Sequence, residues 1–270
     1  MYKILSIGTS FNHGLGLHFY ERHTKGLPLN YTLTPEEREL NVYNVFHSIL
    51  ARKLNVQSEI LNDIRFGLDT KFDDLIYGIK VAVEQPQEIP IKVIIIQLST
   101  AEKDFFIYKD TIYRLDFNSV DELILSKNKL INSVSDDIKE DFTKELESEL
   151  NEYLTNTEKW REKHAIWFVN KLNELNKFLS EKGIMLKVIS YYRDFSPAWK
   201  LFDENIYSKI WSRGQDFSHI QAMCYTHKLR ICDDIGGIDE HPNFEGHQVV
   251  ADSLYESIIK HPLYQSIQYL

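Results

Sequence analysis

The sequence predicts an α/β fold built on a mainly parallel sheet, and three observations carry that expectation. Residues 91–98 form a near-continuous β-branched run, the pattern of a central parallel strand buried on both faces. Strand-length apolar segments alternate along the chain with segments of helical period. The first apolar run, residues 4–7, stops at Gly8 and releases Thr9 and Ser10 into a loop of small residues. Open α/β sheets hold their ligands at such strand ends.

Taken in order, Gly14 and Gly16 let the chain turn sharply after Ser10, and residues 17–33 read as an irregular loop that could wall a site. Thr34-Pro35-Glu36-Glu37 is a helix start, with Thr34 as cap, Pro35 in the first turn and Glu37 completing a capping box. Val42, Val45, Phe46, Ile49 and Leu50 then predict one buried helical face to about Leu54. Residues 55–61 read as a second strand. A capped helix follows, with Phe72, Leu75, Ile76 and Ile79 inward. Pro86 and Pro90 interrupt the chain before the 91–98 strand.

Residues 105–117 predict a hairpin around Lys109-Asp110. Residues 119–156 are dominated by charge and read as a solvated helical insertion, or alternatively as a lid or dimerisation arm. A long amphipathic helix is predicted over 160–179, stopped by Gly183. Residues 184–192 read as the next strand. The aromatic stretch 193–228, with Trp199, Trp211, Phe217 and Tyr225, reads as peripheral core or pocket wall. Leu229 to Cys232 reads as a last short strand, and Asn243 as the cap of a final helix carrying Val250, Leu254 and Ile258 inward.

Composition narrows the function. Forty acidic against 31 basic residues give a net charge of −9, so the overall field repels nucleic acid and no nucleic-acid partner is expected. No apolar run is long enough to span a bilayer, and the N-terminal run belongs to a strand rather than a signal peptide. A cytoplasmic protein with no membrane partner is therefore expected. Cys224 and Cys232 fit no zinc or Cys-x-x-Cys pattern and read as reduced thiols; no metal or cofactor is expected.

Two chemistries suit the first loop. Ser10 can be a nucleophile, or the loop can cradle an anion with its backbone N–H groups. Neither Gly-x-Gly-x-x-Gly nor Gly-Lys-Ser/Thr is present. Near the other end, Asp239-Glu240-His241-Pro242-Asn243-Phe244-Glu245-Gly246-His247 places a histidine just ahead of a helix, where it can reach a serine on the first strand.

Gly8-Thr9-Ser10 together with His241-Pro242-Asn243-x-x-Gly246-His247 resembles the SGNH (GDSL-type) hydrolases. The resemblance implies a three-layer α/β/α sandwich, one domain over 1–270, with the hairpin and helical insertion at about 105–156. It implies Ser10 as nucleophile and His241 as base, with Asp239 as the candidate acid that orients it, or else a backbone carbonyl, Asp233 or Asp234. Gly67 and the Ser10 N–H would bind the oxyanion, with Asn12, His13 and Ser99 near the substrate. Two departures stand out. The family's aspartate lies three residues before the histidine, where this chain has Ile238, and Asp239 is only two before. The family's Gly-x-Asn-Asp is replaced by Ser99-Thr100-Ala101-Glu102-Lys103, leaving Gln97, Ser99 or Thr100 as substitute donors.

The expected activity is cleavage or transfer of an acyl ester, with carbohydrate O-acetyl groups as the first substrate class. The alternative is a catalytically weak or inactive module that binds a glycan or other small ligand. The expected partners are a small-molecule or carbohydrate ester and, through the charged arm, a second copy in a homodimer.

Overall fold

A computed structural model describes residues 1–61, 72–98, 106–115, 120–192, 198–203, 205–237 and 239–268. The described elements are β1 (Lys3–Ile7), a 3-10 turn (Ser10–His13), α1 (Phe19–Thr24), α2 (Pro35–Asn44), α3 (Phe46–Leu54), β2 (Gln57–Ile60), α4 (Phe72–Glu84) and β3 (Ile91–Leu98). There follow β4 (Phe106–Tyr108), β5 (Thr111–Tyr113), α5 (Val120–Ile131), α6 (Lys139–Thr155), α7 (Thr157–Glu181) and β6 (Met185–Ser190). The chain continues through β7 (Ile210–Ser212), β8 (Gln215–Phe217), α8 (Ile220–His227), α9 (Ile231–Ile235), α10 (Phe244–Ile259) and α11 (Tyr264–Gln268).

The central sheet is parallel throughout, in the order β2-β1-β3-β6. Leu5 pairs with Ile94, and Ile94 with Leu186. The two-residue period of the strands sends alternate side chains into two separate cores. Ile4, Val93, Ile95 and Met185 meet α3, α8 and α10 on one side. Leu5, Ile94, Ile96 and Leu186 meet α4 and α7 on the other. This double burial is why β3 is apolar at nearly every position, each isoleucine side chain contributing about 1.5–3 kcal/mol. The expected α/β/α sandwich with a parallel sheet is present.

Strand order also locates the crevice. From β1 the chain crosses to β2 on one side, whereas from β3 it crosses to β6 on the other. Ligands of open α/β sheets bind at such a reversal, outside the strands' carboxyl ends. Ser10 follows β1 there, and Gln97 lies at the end of β3 beside it.

The hairpin forms as expected, Lys109 and Asp110 turning it with φ of 46° and 66°. The charged stretch after it is not merely solvated. Phe142, Leu146 and Leu150 on α6 pack with Phe106 and Tyr108 of β4 and with Trp160 of α7, making a third, smaller core. Most of the charges on α6 lie on its outer face, Glu149 being an exception at 14% side-chain exposure.

Four local expectations are corrected. The helix expected over 34–54 is two helices, because Val45 takes an extended conformation (φ −76°, ψ 152°). That break resets the helical phase, so Val42 is exposed while Val45 is buried. The loop at 17–33 contains α1, one side of which buries Phe19 and Arg22. Leu229 to Cys232 is not a strand. Arg230 makes one antiparallel bridge to Pro242, and the chain then turns into α9. The 193–228 region is likewise less irregular than expected, with the β7–β8 hairpin and α8 among its described residues. Trp211 and Tyr225 there are exposed rather than part of the core.

Candidate active site

Ser10 opens the 3-10 turn directly beyond β1, and its neighbours fix where it points. Phe11 is buried in a stack, 4.9 Å from the Phe46 ring and 4.6 Å from the His247 ring, both nearly parallel to it. The Thr9 N–H and hydroxyl both donate to Gln97 Oε1 at 2.9 Å, which ties the loop to β3. Gly8 permits that approach, since a β-carbon there would lie 2.7 Å from Gln97 Oε1. With Phe11 locked inward and Thr9 held by β3, the Ser10 side chain faces the crevice.

Across the crevice, Ser10 Oγ lies 2.7 Å from His241 Nε2. His241 Nδ1 lies 3.0 Å from Asp239 Oδ1, and the same oxygen accepts the His241 backbone N–H at 2.8 Å. The second bond explains the shortened Asp-x-His spacing. An aspartate bonding to the N–H two residues on makes an Asx turn, which folds the carboxylate back beside the ring. Two residues therefore suffice. Asp239 is 3% exposed. Burial alone would raise its carboxyl, but the hydrogen bonds and charge of His241 bring it below the ordinary carboxylate range. It stays ionised throughout the neutral region.

The histidine loop is braced on the segment before it. Ile231 donates to the His241 carbonyl, Cys232 to the Asp239 carbonyl, and Asn243 to the Leu229 carbonyl, at 2.8–2.9 Å. Arg230 grips Asp233 through two N–H groups, at 2.8 and 2.9 Å, and lies over the Tyr225 ring. Asn243 then caps α10, accepting from the Gly246 N–H at 2.9 Å. Asp233 and Asp234, two further acids near the loop, are engaged with Arg230 and Asn243 and take no part in orienting the ring.

The remaining expected residues separate into two groups. Ser10 and His13 line a cleft of about 780 Å³ with Tyr31, Arg38 and His47. Asn12 does not face it. Its side chain is fully buried behind the loop, accepting from the Ser6 hydroxyl at 2.6 Å, so the expectation that it touches substrate is replaced by a supporting role. Gly67 and Ser99 lie outside the described residues. Gln97, weighed as an oxyanion donor, uses its amide N–H on the Leu98 carbonyl and presents its oxygen to Thr9.

Two histidines belong to the scaffold. His247 is buried, pushed down to about 3 mainly by desolvation, and accepts the Phe46 N–H. His47 carried no sequence signal, sitting in an ordinary helical apolar face. It is buried, also pushed down to about 3, and its Nε2 lies 3.1 Å from the Asn12 carbonyl, supporting the serine turn from below. Burial and the Asp239 carboxylate beside it push the Tyr31 phenol up to about 12. Asp239 Oδ2 itself is buried, with no hydrogen bond of ordinary geometry among the described residues.

Among the described residues no group of three or more His, Cys, Asp or Glu could hold a metal ion, and no helix is long and apolar enough to cross a membrane. No protein-family model matches the chain, and no curated protein matches it. Among solved structures it is similar to a carbohydrate esterase whose active site displays divergent catalytic and non-catalytic binding functions. That structure is 13% identical, with a TM-score of 0.40, over 97% of this chain and 66% of that one. It is also similar to a family two carbohydrate esterase from Clostridium thermocellum in complex with cellohexaose, at 14% identity and a TM-score of 0.36, over 100% of this chain and 65% of that one. The chain thus spans about two thirds of the length of each.

Proposed function

We propose that the protein is an SGNH-like serine hydrolase that cleaves or transfers an acyl ester. The contact between Ser10 Oγ and His241 Nε2, 2.7 Å long at the carboxyl edge of a parallel sheet, carries this reading. A serine hydroxyl attacks poorly until a base takes its proton, and His241 stands at the distance that transfer needs. Asp239 holds the imidazole with Nε2 free to accept and stabilises the imidazolium that forms.

The steps follow from these contacts. Ser10 Oγ attacks the ester carbonyl as its proton passes to His241 Nε2. The developing oxyanion turns toward the N–H groups that open the 3-10 turn, which have no intrahelical partner. Gly67 is the expected second donor. His241 returns the proton to the departing alcohol, leaving an acyl group on Ser10. Water, or a second alcohol in a transferase, attacks that acyl group with His241 again as base. The resemblance of the two end motifs makes carbohydrate O-acetyl esters the first class to try.

A fluorophosphonate probe tests the proposal. Intact-mass analysis should show one adduct on wild type, mapped to Ser10, and none on folded Ser10→Ala. Folded wild type that takes no adduct would overturn the hydrolase and favour a glycan-binding module.

A further inference from the structure

Arg38 is exposed and lines the same cleft as Ser10, and its guanidinium has no hydrogen-bond or ion-pair partner among the described residues. Its helix offers none. The positions three and four residues away are Thr34, Pro35, Asn41 and Val42, without a carboxylate. The acid that lines the cleft, Glu59, is engaged with Lys3. Glu37, the neighbouring acid on α2, faces inward and is held by Arg22 at 2.6 and 2.7 Å.

The cleft also continues past this residue. Arg38 and Val42 are shared with an adjoining hollow lined by Glu39, Tyr43 and Arg52. Arg52 lies 4.0 Å above the Tyr43 ring and donates to the Tyr43 carbonyl. Two guanidinium groups and one carboxylate line this hollow, although the chain as a whole carries a charge of −9. A planar fork of N–H donors left open toward a binding cleft is suited to a carboxylate, which it takes through two parallel bonds.

Resting on the hydrolase reading, we infer that Arg38 is a specificity residue and that the substrate is an acyl ester bearing a carboxylate, seated on Arg38 while its ester reaches Ser10. Arg38 then holds an anion that the overall charge of the chain repels.

A matched pair of aryl acetates tests this: 4-acetoxybenzoate and its methyl ester, which differ by the carboxylate. The readout is the ratio of their kcat/KM values, each corrected for its rate of alkaline hydrolysis. Wild type should favour the acid, and Arg38→Gln should lower the ratio about tenfold, the low end for a lost charge-assisted pair. Arg38→Lys should fall between, keeping the charge without the fork. An unchanged ratio in Arg38→Gln overturns the inference, as does a wild type that prefers the methyl ester. Calorimetry on Ser10→Ala separates this from failure of the nucleophile. Should wild type turn over neither ester, acid binding tighter than the methyl ester and weakened in Ser10→Ala/Arg38→Gln still upholds Arg38. Equal affinities, or no binding, overturn it.

Discussion

Gly16 stands so close to Asp239 that a β-carbon on it would lie 2.7 Å from Oδ2 and 3.0 Å from Cγ, and 2.6 Å from Ile231 Cδ1. Its φ of +90° is one that other residues adopt only under strain. Gly16→Ala should therefore displace the carboxylate that orients His241, as well as strain the turn. Stability should fall by about 1–3 kcal/mol. Turnover of 4-nitrophenyl acetate should fall at least about tenfold, mainly in kcat, as expected when a catalytic group is misplaced. Urea unfolding and steady-state kinetics on the same preparation check this, and wild-type kcat in the variant would count against it.

Asp239→Asn separates the acid's orienting role from its part in the turn. The amide oxygen can still accept the His241 backbone N–H, so the Asx turn should persist and the fold with it. The charge opposite the imidazolium is lost, and turnover should fall by about 10⁴, close to the loss in His241→Ala. Activity near wild type in Asp239→Asn, with none in His241→Ala, would reduce the triad to a Ser10–His241 dyad.

Lys187 lies fully buried on β6, donating to the Asn205 carbonyl at 2.6 Å and to Ser257 Oγ at 2.9 Å. Burial lowers its ammonium to about 7. The unfolded chain, with an ordinary lysine, holds its proton to near pH 10.4. Between these values the unfolded state binds more protons, so stability must rise with pH. The slope is at most about 1.4 kcal/mol per pH unit. Below pH 7 both states are protonated and the penalty of the buried charge is at its largest. Lys187→Met should be more stable than wild type at pH 7, and the gap should close as pH rises to 9.5. Urea midpoints at the two pH values measure it; a constant gap would refute the assignment.

The sheet was readable because its chemistry is one-dimensional: β3 is buried on both faces, so Ile91 to Leu98 are apolar almost without interruption. The caps at Thr34 and Asn243 were readable for a similar reason, since each lies three residues from the N–H it accepts. Val45 was not. No proline or glycine marks the break there; α3 starts afresh because Val45 is buried in an extended conformation. Leu229 to Cys232 was misread because a short apolar run suits strand and helix alike, and its backbone partners lie in the histidine loop. At the site, the end motifs named Ser10, Asp239 and His241. Gln97 and His47 act through contacts that depend on the third dimension, and Asn12 was placed on the wrong side of its loop for the same reason.

The Ser10–His241 contact joins residues 231 positions apart, and the histidine loop is seated by α10 packing against α3. The order of synthesis gives that distance a meaning. When the ribosome has made β1 to β6, every described strand of the central sheet exists and the serine turn can form, yet His241 is not present to take its proton. Some 50 more residues, or several seconds at about 5–20 residues per second, separate the end of β6 from His241. On the proposed hydrolase reading, the nascent protein carries a latent hydroxyl in place of a reactive one. On the same reading, chemistry waits for α10 to dock against α3, so ester turnover would report on completion of the fold more sharply than secondary structure does.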